Sequence, residues 1–164
     1  MEERFPILVL GVGNILFTDE GIGVKVIQEL EKRYEFSEDV HLLDGGTLGM
    51  KLMDYLTRCD NLIIVDAVLG DGKPGTIYRL VGDDLRKSIS FKNSLHQTDL
   101  TDTLIYCELI GSRPDTVVIG IEPKNMDDVS LEVSPEIEQA IPLLIEKVLS
   151  EIKRAGGSFK PRSN

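Results

Sequence analysis

The chain has 164 residues, with 28 acidic side chains against 18 basic ones and a formal net charge of −10. With 41% hydrophobic and 28% charged residues it has the apolar content of a folding chain, and a domain of about 150 residues buries roughly 70% of its unfolded surface, so no disulfide is needed. The acidic balance argues against a nucleic-acid binder, which needs a cationic face to displace counterions, and against an anionic membrane surface.

Residues 1–157 are expected to form one α/β domain, with 158–164 as a loose tail of low apolar content. No apolar run approaches the ~20 residues of a membrane span, and the charged start of the chain lacks a signal-peptide core. Cys59 and Cys107 form no C-x-x-C pair and read as buried thiols of a reducing compartment. The expected location is the cytoplasm, without membrane insertion.

The first strand is Ile7-Leu8-Val9-Leu10, apolar on both faces. From about Glu20 to Glu35 the period becomes helical, with Ile22, Val26, Leu30 and Tyr34 four apart. Val40 to Leu43 is a second strand, Leu48, Leu52 and Leu56 mark a helix, and Leu62-Ile63-Ile64-Val65 is a third buried strand ending at Asp66. The turn-rich Gly70–Gly75 stretch is too short for a crossover helix, so the strand from Thr76 to Val81 is expected to run antiparallel. An irregular stretch leads to His96, a helix spans about Gln97 to Ile110, and Thr116 to Ile121 is a fifth strand. The last helix has Ser134 as N-cap, Pro135 at its first position, Pro142 inside it and Gly156-Gly157 at its end. This alternation predicts a three-layer α/β/α sandwich of about five strands, mostly parallel with one antiparallel strand.

Open α/β sheets bind ligands beyond the carboxyl ends of their strands. There the sequence places Gly11-Val12-Gly13 with Asp19-Glu20, then Asp44-Gly45-Gly46, then Asp66. Capping and turn chemistry would account for Asp44, and the helix dipole for one of Asp19 and Glu20. Asp66 is embedded in apolar sequence, where a carboxylate needs a cation or donors. His41 lies within a strand and reads as structural, whereas His96 precedes a helix and fits an exposed loop imidazole as well as a functional one. If Glu20, Asp66 and His96 converge, two carboxylates and an imidazole suit a borderline divalent ion such as Ni²⁺ or Zn²⁺, though no local spacing forces them together. A dinucleotide turn is the competing reading of the glycines, but its third glycine is replaced by Leu16, and Glu20 would repel a pyrophosphate at the helix start.

The stretch Gly11-Val12-Gly13-Asn14-Ile15-Leu16-Phe17-Thr18-Asp19-Glu20-Gly21-Ile22-Gly23 resembles the opening signature of the [NiFe]-hydrogenase maturation proteases. The resemblance continues through Leu43–Thr47, Leu62–Ala67, Pro74-Gly75-Thr76, Ser94–Gln97, Gly120–Pro123 and Ser134-Pro135, covering nearly the whole chain outside the tail. It implies an endopeptidase that trims the C-terminus of the nickel-loaded large-subunit precursor, its protein partner. It further implies a metal-contacting triad falling on Glu20, Asp66 and His96, which reads nickel carried by the substrate; another divalent metal can occupy such a site in vitro. Asp44 matches a further acidic position and is the expected catalytic residue, as general base or in substrate positioning, with Gly13, Gly45 and Gly46 at the expected substrate-binding turns. No H-E-x-x-H and no evident Ser-His-Asp or Cys-His arrangement is present, so water rather than a covalent nucleophile is expected to attack. The alternatives are a hydrolase with its own Zn²⁺ and a non-catalytic nickel-binding chaperone of the same pathway.

Overall fold

The structure is a computed structural model that describes residues 3–45, 51–92 and 100–163. Strands β1 (Phe5–Gly11), β3 (Val40–Asp44), β4 (Cys59–Ala67), β5 (Ile77–Leu80) and β6 (Asp115–Ile121) form one sheet in the order β3-β1-β4-β6-β5. β3, β1, β4 and β6 pair in parallel, and β5 runs antiparallel along β6. The expected sandwich with one reversed strand is therefore what forms. The reversed strand sits at the edge, with β6 inserted between it and β4.

Alternation along the strands builds two separate cores. Ile7, Val9, Ile63, Val65, Val117 and Ile119 face helices α1 (Ile22–Arg33) and α5 (Pro135–Arg154). Leu8, Leu10, Leu62, Ile64 and Val118 face α2 (Lys51–Thr57) and α4 (Leu100–Leu109). Both strand faces are apolar because both are covered, as parallel sheets require. Helix α5 is unbroken through Pro142, whose ring lies on the exposed side. Among the described residues no helix is long and apolar enough to cross a membrane.

Several elements depart from the sequence reading. The first helix begins at Ile22, and Thr18–Gly21 form a 3-10 turn ahead of it. The irregular stretch before His96 contains a 3-10 segment, Gly82–Lys87, and a single helical turn, α3 (Ile89–Lys92). The tail expected to be loose is instead strand β7 (Phe159–Pro161), paired antiparallel with β2 (Tyr34–Phe36). Its anchor is Phe159, whose ring centroid lies 5.6 Å from that of Tyr34 and 6.3 Å from that of Phe36, with the Lys153 ammonium 5.0 Å away. One aromatic side chain between polar neighbours gives too little periodicity to announce a strand, yet it buries enough to fix one. Replacing Phe159 by Ala should cost about 1–2 kcal/mol in urea unfolding, since the ring is half-buried and a fully buried one costs more. A midpoint that does not move would show that the tail adds nothing.

Candidate active site

From β1 the chain passes to β3 on one side, and from β4 it passes to β5 and β6 on the other. The connections diverge between β1 and β4, so the carboxyl ends of these strands are the switch point at which open sheets of this kind have their binding crevice. The glycines there are consumed by the chain's own packing. A Cβ on Gly23 would lie 2.2 Å from the Val65 carbonyl oxygen and 2.5 Å from that of Val12, and one on Gly11 would lie 2.4 Å from the Gly23 carbonyl oxygen. The first turn of α1 is thus wedged against both strands. Gly13 has φ +118, and a Cβ on it would lie 1.9 Å from the carbonyl oxygen of Glu20. The glycine turn is filled by the protein itself, and it fixes the backbone of Glu20; this removes the basis of the dinucleotide reading.

Glu20 is held a second way, through its neighbour. Asp19 is completely buried, and its carboxylate accepts hydrogen bonds from the amides of Lys124 (2.9 Å), Asn125 (2.8 Å) and Ser134 (2.7 Å) and from the Ser134 hydroxyl (2.8 Å). Such a carboxylate is very costly to desolvate alone, and four donors offset that cost. Ser134 occupies the expected N-cap position, but its hydroxyl serves Asp19 and makes no cap bond. Ahead of Asp19, Thr18 adopts φ +51, a left-handed conformation that a β-branched residue rarely takes. It is held there by its amide to the Ser130 carbonyl (3.0 Å) and its hydroxyl to the Asp128 carbonyl (2.8 Å). Of the adjacent acids, Asp19 is the internal staple, and Glu20 is half-buried.

Asp66, at the other wall, is 0% exposed and in phase with Leu62 and Ile64, on the α2–α4 side. The hydroxyl of Ser88 donates to its Oδ2. Ser88 is itself fully buried, bridged to Val68, and the Leu69 amide reaches the Lys87 carbonyl at 3.1 Å. No motif marks Ser88 in the sequence; only the sheet edge brings it to Asp66. Asp44 ends β3 opposite Gly11, which pairs with Val65 on its other side. Two strand spacings, about 10 Å, separate β3 from β4. Asp44 is in phase with Val40 and Leu42, which pack towards α1, so it leaves the sheet on the face opposite to Asp66. Gly45 is buried against Leu10 and the Gly11 carbonyl, a packing reason for its missing side chain.

His96 and Gly46 lie outside the described residues. Ser88, bonded to Asp66, and Leu100, packed in the α2–α4 core, are both fully buried. Among the described residues no group of three or more His, Cys, Asp and Glu side chains is gathered to hold a metal ion.

Glu122, which is 6% exposed, follows β6 at the same edge of the sheet as Asp66. Its Oε1 accepts from the amides of Gly70 (2.9 Å) and Gly72 (3.0 Å) and from the Tyr78 hydroxyl (2.8 Å), and its carbonyl accepts from the Gly75 amide (2.9 Å), so both ends of the Gly70–Gly75 turn are tied to Glu122. Desolvation, with Glu122 next in weight, raises the Tyr78 pKa, keeping the phenol a donor. The thiols are poor nucleophiles: both are buried, and burial pushes Cys59 up to about 12 and raises Cys107 as well.

The fold is a doubly wound α/β sheet with carboxylates near its switch point, and the comparisons fix the family. The model of the hydrogenase maturation proteases matches residues 24–151. The hydrogenase 2 maturation protease of Escherichia coli is 37% identical over 158 residues, covering 95% of this chain and 96% of that protein. The solved structure of the hydrogenase maturating endopeptidase HybD from E. coli superposes with a TM-score of 0.85 at 37% identity, over 98% of both chains. A [NiFe]-hydrogenase maturation protease from Thermococcus kodakarensis gives 0.69 at 25% identity, over 91% of this chain and 99% of that one. This chain belongs to the hydrogenase maturation protease family, and it is an endopeptidase.

The division between the two acids is directly testable. Asp19→Asn should destabilise the fold by about 2–4 kcal/mol, because an amide forces donor against donor in a buried site. Glu20→Gln should change stability by under about 1 kcal/mol. Chemical denaturation of the two variants reads the difference, and equal losses would refute the assignment.

Proposed function

We propose that this endopeptidase removes the C-terminal extension of a [NiFe]-hydrogenase large-subunit precursor, and that it acts only once nickel is present in that precursor. Family membership supports the class of reaction. The observation that supports the nickel requirement is that the turn carrying Glu20 packs on β4, the strand that carries Asp66. Glu20 is fixed by Gly13 and by the Asp19 staple, and Asp66 by Ser88. His96 completes the set as an imidazole donor. Nickel here is part of the substrate: it arrives bound by the precursor, and Glu20, Asp66 and His96 supply outer ligands to it. An empty precursor lacks those contacts and binds more weakly, which is specificity by differential affinity. Another divalent ion can fill the same ligand set in vitro.

Hydrolysis adds the hydroxyl of water to the scissile carbonyl carbon, breaks the C–N bond and passes a proton to the leaving amine. Asp44 is our candidate for the base, acting at the β3 end of the edge while the metal is read at the β1–β4 crevice. Amides of the turns at Gly13 and Gly45–Gly46 are candidates for the donors that stabilise the oxyanion. The buried thiols fit a reducing compartment, and we place the reaction in the cytoplasm.

The test is mass spectrometry of precursor incubated with the protein, with and without nickel. Loaded precursor should lose its extension, and nickel-free precursor should persist. Glu20→Gln and Asp66→Asn should each lower kcat/KM at least about tenfold, a loss of ~1.4 kcal/mol or more. Equal cleavage of both precursor forms would refute nickel recognition. Metal-dependent association without a shortened product would instead identify a chaperone.

A further inference from the structure

The two segments that position Glu20 also carry apolar side chains that the fold leaves in solvent. Ile15 and Leu16 precede the 3-10 turn and are 44% and 51% exposed; Val129 and Leu131, in the loop between β6 and α5, are 78% and 67% exposed. The segments lie side by side. The Ser130 amide donates to the Leu16 carbonyl at 2.9 Å, the Thr18 amide to the Ser130 carbonyl at 3.0 Å, and Phe17 and Ser130 form a parallel bridge. The loop is itself braced, with the Asn125 side-chain oxygen accepting from the amides of Asp127 (3.0 Å) and Asp128 (3.2 Å). The result is a fixed ridge of four large apolar side chains, which scattered surface hydrophobics do not form.

Charge distinguishes this ridge from other exposed apolar positions. Val129 and Leu131 are interleaved with exposed acids, Asp127, Asp128 and Glu132. The nearest lysine of the loop, Lys124, is engaged by Glu136 at 2.9 Å. The complementary surface is apolar with basic residues beside it. Its position completes the argument: the ridge is tied to the residue before Glu20 by the Asp19 bonds, so whatever seats on it is held at the rim of the crevice.

We propose that this ridge is a docking surface for the precursor protein, and that it receives a segment carrying apolar side chains next to Lys or Arg. The proposal rests on the function argued above and extends it. Metal contacts report whether the precursor is loaded, whereas the ridge supplies affinity that is independent of nickel. A specific interface needs a buried apolar centre with a polar, charge-matched rim, and the ridge with its flanking acids has that composition.

The experiment compares wild type with the double variant Val129→Ser/Leu131→Ser, with Asp127→Lys/Glu132→Lys, and with Leu109→Ser/Ile110→Ser on the exposed end of α4 as a control. Because all these positions are exposed, thermal unfolding should match wild type. With nickel-loaded precursor, the first two variants should raise KM tenfold or more with kcat at saturation unchanged, and the α4 control should leave both constants alone. Binding of nickel-free precursor, followed by fluorescence anisotropy, should weaken by the same factor. Unchanged KM in both ridge variants would overturn the proposal, as would a fall in kcat without a change in KM. So would self-association in sedimentation that Val129→Ser/Leu131→Ser abolishes, which would make the ridge a face between copies of this chain. If wild type cleaves no precursor, the proposed function fails, and the anisotropy comparison still decides the ridge by itself.

Discussion

The carboxylate of Asp19 takes donors from Lys124, Asn125 and Ser134, residues more than a hundred positions along the chain, and takes them where no water reaches. Four charge-assisted hydrogen bonds join the loop after β1 to the loop before α5. They add to the glycine contacts and to the bonds of Leu16 and Thr18 that also define the loop between Gly11 and Ile22. With them, the next residue along, Glu20, is delivered to the switch point of the sheet at a fixed backbone position. The left-handed Thr18 shows that this position is imposed from outside, because an isolated chain would relax away from it. Anchoring falls to Asp19, and the role we propose in metal recognition falls to its neighbour Glu20.

The opposite wall follows a different logic. Asp66 is placed by the period of a strand, which turns it toward the α2–α4 face, and it is satisfied in part by Ser88. The two walls are therefore stabilised by separate hydrogen-bond systems, one on each face of the sheet. Each wall can be perturbed by mutation without dismantling the other, which makes the contributions of Glu20 and Asp66 separable by experiment.

Much of this could be read in the sequence, for identifiable reasons. Ile7–Leu10 and Leu62–Val65 are apolar on consecutive positions because both sheet faces are covered, and such runs declare buried parallel strands. Once the strands are placed, the carboxyl-edge rule gathers Glu20, Asp44 and Asp66 without any contact information. What escaped depended on contacts distant in sequence. Asp19 and Glu20 are chemically alike, and only the partners near residues 124–134 separate them. Ser134 reads as a helix cap, and it occupies that position, but its hydroxyl is diverted to a stronger acceptor. Ser88 carries no signal because its role is defined by Asp66 across the fold. The β2–β7 pair was missed because its short strands, grouped around Phe159, bury too little to leave a period.

Glu122 gathers two backbone amides and a phenol on a single oxygen, and in doing so it sets a distance. The Gly70–Gly72 end of the turn is held off the end of β6 by the length of one glutamate side chain, and the Gly75 end is bonded to the Glu122 carbonyl. An aspartate would draw the acceptor back by one methylene, about 1.5 Å, beyond the reach of three donors at once. Glu122 thus behaves as a spacer of set length, and at this position chain length matters more than charge.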